Sequence, residues 1–113
     1  VLIITPLKKR NFPERVDFVT SPGFLTGGIA REDMGITGQG PTVVITDLGV
    51  FHFDPVTREM VLTDLHPGAE KSAVQENIGW NVRFADDLRI TEPPTFDELR
   101  LIREELDPTH IYI

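Results

Sequence analysis

Three histidines, two strand-borne aspartates, a basic cluster and two glycine-rich stretches are the residues here that could do chemistry. His52 stands between Phe51 and Phe53. In an extended chain it points to the opposite face from both rings. It could serve as a base, or simply be a satisfied histidine at the margin of a core. His66 precedes Pro67-Gly68, a sharp corner where functional groups often sit. No second histidine or carboxylate is tied to it by spacing, so a role in the turn is the plainer reading. The three histidines lack HxxxH-type spacing, and no metal ligand is assigned. Asp47 and Asp64 could form an acid–base pair across a hairpin. More plainly, each ends a strand and caps the turn after it.

Lys8, Lys9, Arg10 and Arg15 could hold an anionic ligand or an acidic partner. The bland alternative is a hydrated connection. The stretches Ser21 to Gly28 and Gly35 to Gly40 could cradle a phosphate or thioester with backbone amides. Neither is GxGxxG and neither leads into a helix aimed at a ligand, so an irregular crossover is the simpler expectation. The residues therefore assign no catalytic residue, no metal site and no cofactor-binding residue.

The elements that must position these groups centre on Gly38 to Trp80. Thr42 to Asp47 is a β-branched strand, apolar enough to be covered on both faces. Val50 to Phe53 extends it past Gly49, where a bulge or a close backbone approach is expected. Asp54-Pro55-Val56-Thr57 reverses the chain, with Pro55 presetting φ and Asp54 capping. Met60 to Leu65 returns antiparallel. Lys71 to Ile78 is helical, with Val74 and Ile78 on one face and Gly79 as its C-terminal cap. Trp80 then anchors the helix to the sheet.

Outside this centre, Val1 to Thr5 reads as a buried strand stopped by Pro6. Leu7 to Arg15 is a basic connection with one helical turn, Val16 to Thr20 a second short strand, and residues 21 to 40 a long loop with six of the nine glycines. Val82 to Phe84 is a further strand. After a Pro-Pro linker, Thr95 and Glu98 have capping-box spacing. The helix Phe96 to Leu106 follows, with Phe96, Leu99, Ile102 and Leu106 as a core face and an Arg100–Glu104 pair outside. Asp107-Pro108 ends it, and His110 to Ile113 is read as a last edge strand.

The chain has 113 residues, no cysteine and a formal charge of −7. That length suits one domain or part of one. The charge argues against nucleic acid and anionic membranes as partners, and no run is long enough to span a bilayer. Absence of cysteine points to a cytoplasmic protein. The charge is uneven, +3 through Arg31 and −10 beyond it. A chain opening inside an apolar strand is expected to be a fragment.

Several pieces together resemble the β subunit of family I coenzyme A transferases, in its C-terminal half and closest to the glutaconate CoA-transferase branch. They are TPLKKRNFPERVDFVTSPGFLTGG from Thr5, GQGPTVVITDLGVFHFDP from Gly38 and EMVLTDLHPG from Glu59. QENIGW from Gln75 and PPTFDELRLIREELDP from Pro93 complete the set. The resemblance implies an α/β chain, the C-terminal part of a three-layer α/β/α subunit with a mostly β core, one antiparallel hairpin and two helices. It implies a homologous α subunit as partner, coenzyme A as substrate with no tightly bound cofactor, and transfer of CoA between carboxylic acids through a glutamyl-CoA thioester. The family's nucleophilic Glu lies in a Ser-Glu-Asn-Gly-like motif, absent here and expected upstream of Val1. The same branch resembles hydrolases that open rings of steroid-derived CoA thioesters. A non-catalytic scaffolding module is the alternative from another class.

Overall fold

A computed structural model describes residues 1–112. Its centre is one mixed sheet of five strands in the order β1-β2-β3-β4-β5. The strands are β1 (Leu2–Ile4), β2 (Val43–Ile45), β3 (Gly49–Phe53), β4 (Met60–Leu65) and β5 (Arg83–Ile90). β1 lies parallel to β2, β3 is antiparallel to both β2 and β4, and β5 is parallel to β4. Four strands thus run one way and β3 runs against them.

The β-branched run after Pro41 does form a strand, but Gly49 does not lengthen it. Thr46 closes a tight reversal instead. Its hydroxyl donates to Gly49 O at 2.7 Å and accepts from the amides of Leu48 and Gly49. Val43 then pairs with His52, giving two antiparallel hairpins where the sequence suggested one. A Cβ on Gly49 would collide with Asp64 O, and the β3–β4 register shifts between Val50 and Phe51. Close approach and bulge both occur there.

The 54–57 corner forms as expected. Asp54 Oδ1 accepts from the amides of Val56 and Thr57 at 2.8 and 2.9 Å.

Three helices accompany the sheet: α1 (Ala30–Asp33), α2 (Lys71–Glu76) and α3 (Phe96–Arg100), the last continuing as a π-helical turn over Leu101–Leu106. α2 and residues 7–12 cover one sheet face. Phe51, Leu62 and Val74 are fully enclosed there, packed with Leu7, Phe12, Val44, Leu65, Ile78 and Val82. Gly79 is not a left-handed cap; a Cβ on it would strike the backbone of Pro13 and Glu14, so glycine permits the connection to pass. Its amide donates to Phe12 O, and Trp80 meets the Phe12 ring at 6.4 Å, tying this end of α2 to the amino-terminal connection.

Several expectations are corrected. β1 pairs with β2 but is an edge strand, not a buried one. Leu2 and Ile4 are 56% and 74% exposed. They share a face with Val43 and Ile45, which the elements of this chain leave partly open. Residues 16–20 form no strand, and exposed Val16, Phe18 and Val19 are left without strand partners. The glycine-rich loop contains α1. β5 is eight residues long rather than three, because its middle bulges: it advances five residues from Phe84 to Arg89 while β4 advances two. The expected core face of the last helix is not core: Phe96 is 82% and Leu106 69% exposed. Residues 110–112 form no strand, and Ile113, the end of that expected strand, lies outside the described residues.

Candidate functional site

The glycine-rich stretches are organised by a side chain that neither stretch contains. Arg31, on α1, is 8% exposed and points its guanidinium between them. Nη1 donates to Pro22 O and Gly23 O at 2.9 and 3.0 Å. Nη2 donates to Thr37 O at 2.8 Å, and Nε reaches Gly38 O at 3.5 Å. The loops therefore converge carbonyls on a cation rather than amides on an anion. The sequence offered one signal of this, a single arginine between two glycine runs.

The carboxyl ends of β1, β2, β4 and β5 share one rim, the usual place for ligands in open α/β sheets. In this chain that rim is stitched shut. Asp47 Oδ1 accepts from Leu7 N at 2.8 Å, so it caps the amino-terminal connection and not its own turn. His66 Nε2 lies 2.8 Å from Thr46 O, and a carbonyl can only accept. Nε2 therefore carries a proton, and Nδ1, 2.7 Å from Thr91 Oγ1, accepts from that hydroxyl in the neutral ring. The His66 side chain thus ties Thr46 to Thr91 across the sheet, while its backbone carbonyl accepts from Ala69 N in the turn.

Asp64 is engaged elsewhere. It accepts from Thr63 Oγ1 at 2.7 Å and pairs with Arg89 at 3.4 Å. The structure does not bring Asp47 and Asp64 together as an acid–base pair. Nor does either cap its following turn.

The opposite rim carries an open cleft of about 400 Å³. Phe24, Glu32, Gln39, Thr42, His52 and Arg58 are among its lining residues. α1 supplies Glu32, the second glycine stretch Gln39, β3 His52, and the β3–β4 hairpin Arg58. Phe24 and Phe53 meet edge to face with centroids 5.0 Å apart. The Arg58 guanidinium lies 5.3 Å from the Phe24 centroid. His52 is exposed, with Nδ1 2.7 Å from Thr63 Oγ1. A second cleft of about 410 Å³ lies beside the end of α2, where Lys9, Glu14 and Trp80 line it. Of the basic cluster, Lys9 lines this second cleft, and all four residues are exposed. Among the described residues no His, Asp or Glu group is arranged to hold a metal.

No protein-family model matches the chain. It is 40% identical over 103 residues, 91% of its length, to the B-subunit of the 3-oxoadipate CoA-transferase of Pseudomonas knackmussii, covering 40% of that protein. It is 36% identical over 113 residues to the B-subunit of the glutaconate CoA-transferase of Acidaminococcus fermentans, covering 42% of it. The crystal structure of that transferase superposes with a TM-score of 0.88 across 99% of this chain and 43% of the other. The IpdAB structure from Rhodococcus jostii is 30% identical and superposes at 0.73 over 97% of this chain and 43% of the other. The IpdB protein of the same species is described as a cholesterol ring-cleaving hydrolase. The chain spans about two fifths of the length of these curated relatives. In sequence and in its mixed five-stranded sheet, the chain is a homologue of the B-subunits of CoA-transferases, which are enzymes of the α/β class.

Proposed function

We propose that residues 1–113 are the C-terminal portion of a single CoA-transferase B-subunit domain. The observation that carries this is the near-complete superposition on the glutaconate enzyme at 35% identity, with less than half of that chain accounted for. The apolar sheet face carrying Leu2, Ile4, Val43 and Ile45 supports it, because a three-layer subunit would cover that face with its remaining helices.

In this reading the complete subunit pairs with a homologous α subunit in the cytoplasm. It moves CoA between carboxylic acids through a glutamyl-CoA thioester, on a glutamate outside residues 1–113. A covalent carboxylate intermediate divides one difficult acyl exchange into two easier ones. Transfer is favoured over hydrolysis because both transferase relatives are at least as similar as the hydrolase, and the glutaconate enzyme superposes better.

The test is mass spectrometry of the protein after exposure to an acyl-CoA. Residues 1–113 alone should form no enzyme–CoA thioester, whereas the complete subunit with its companion should form one and pass the CoA to acetate or succinate. A thioester on the 113-residue chain would overturn the proposal, and release of free acid without transfer would favour the hydrolase.

A further inference from the structure

Two uncovered surfaces of opposite charge lie on this one chain. The first is the amino-terminal connection. Residues 13–20 are all exposed and form no helix or strand. Phe18 is 77% exposed, with Val16 and Val19 beside it in the same state. Residues 8–19 carry four basic and two acidic side chains, so the apolar trio sits in a positive surround. None of Lys8, Lys9, Arg10 and Arg15 has an ion partner among the described residues.

The second is the C-terminal arm. α3 and its π turn leave Phe96, Leu101 and Leu106 in water. Residues 91–112 carry six acidic and two basic side chains, which makes this surround negative. Asp97 has no ion partner among the described residues. The arm is nonetheless well formed. The Thr95–Glu98 capping box fixes its start, and Arg100 meets Glu105 at 3.0 Å. Asp107 holds its end by accepting from Ile111 N and Tyr112 N. A surface built before contact loses little freedom on docking. The chain is also drawn out: its radius of gyration is 16.0 Å, against about 13 Å for a compact domain of this length.

Both surfaces are apolar at the centre and charged around it, with opposite signs, and neither covers the other within one chain. Such patches mark contact surfaces. We propose that they are the two halves of one contact between two copies of this chain, the acidic arm of each lying on the basic connection of the other. A two-fold pair makes the contact twice and leaves neither half unused. Phe18 and Leu106 belong to its apolar centre, and Arg10 and Arg15 face Asp97 and Glu104 at its polar rim.

The test uses the complete B-subunit with its companion, and rests on the proposed function only for that choice of protein. Two tagged forms of the subunit are co-produced, one with Phe18→Cys and the other with Leu106→Cys, and treated with a short bismaleimide. Peptide mass spectrometry should find positions 18 and 106 joined between the two forms. Arg10→Glu with Arg15→Glu should cut that yield about tenfold or more, because like charges then meet. Adding Asp97→Lys with Glu104→Lys should restore most of it. Co-purification of the companion checks folding, and Val19→Cys with Arg103→Cys is the second pair should the first fail to assemble. No link between tagged forms, position 18 joined to the companion instead, a yield indifferent to charge reversal, or no rescue by the paired swap would each overturn the proposal. CoA transfer is assayed on the same complex: transfer without the link sinks the docking alone, and the link without transfer sinks the proposed function alone.

Discussion

Arg31 donates to backbone carbonyls from a nearly enclosed side chain. Removing it strands several acceptors at once, and each buried unsatisfied group costs about 1–3 kcal/mol. Arg31→Met should therefore lose roughly 3 kcal/mol in urea unfolding. Arg31→Lys should recover little, because an ammonium lacks the fork that reaches four carbonyls. The role of Arg31 was barely legible in the sequence, because converging carbonyls belong to no residue type and a lone arginine between glycine runs was the one signal. Asp54 was legible, since Asp-Pro announces a turn. Its carboxyl is held below the usual 3.8, mainly by the amides of Thr57 and Val56 and then by Arg83, with desolvation opposing. A lowered folded-state pKa gives stability that is full above the unfolded value and is lost as pH falls through the folded one. Asp54→Asn keeps an acceptor for the amides but loses the charge facing Arg83. Its urea midpoint should fall less steeply than the wild type's below about pH 4. Parallel pH profiles would refute this.

At the scale of elements, the hairpin β3–β4, helix α2 and the start of α3 could be read ahead because local chemistry fixes them. Thr95 Oγ1 accepts from Glu98 N, and Glu98 Oε2 accepts from Thr95 N, completing the capping box. Thr95→Ala should cost about 1 kcal/mol, confined to this arm. Hydrogen exchange at Leu99 and Arg100 should speed up while amides of β3 and β4 keep their protection. The β2–β3 reversal was missed because Thr46-Asp47-Leu48-Gly49 joins two β-forming runs with no proline to mark a turn, and Gly49 was read as a bulge within one strand. β5 was cut short because Asp86 and Asp87 look like a loop, and they do lie in its bulge. The stripe Phe96, Leu99, Ile102, Leu106 revealed periodicity but not what lies opposite. The π turn at Leu101–Leu106 further shifts its later residues out of line.

For the whole molecule, hydrophobic pattern gave the sheet and the α2-covered face, since buried alternation is a property of the chain itself. The other face was read as covered because its residues are apolar, and apolarity marks a face without showing what covers it. Leu2, Ile4 and neighbouring Val43 and Ile45 form a patch of the kind seen at interaction surfaces. The 113-residue chain should bind a hydrophobic dye and self-associate with rising concentration. If the chain is part of a B-subunit as proposed, adding the rest of that subunit should reduce both signals. Dye binding that stays constant on assembly would count against a covering layer on this face.

The His66 clasp carries a consequence for souring solutions. Its ring bridges Thr46 O and Thr91 Oγ1, a link that uses no carboxylate. The Asp-Pro corner at the far tip depends on one, because a protonated Asp54 weakens its hold on the corner amides and on Arg83 at once. Acid should therefore unzip the sheet directionally, from the hairpin tip first, while the rim fastened by the imidazole stays closed longest.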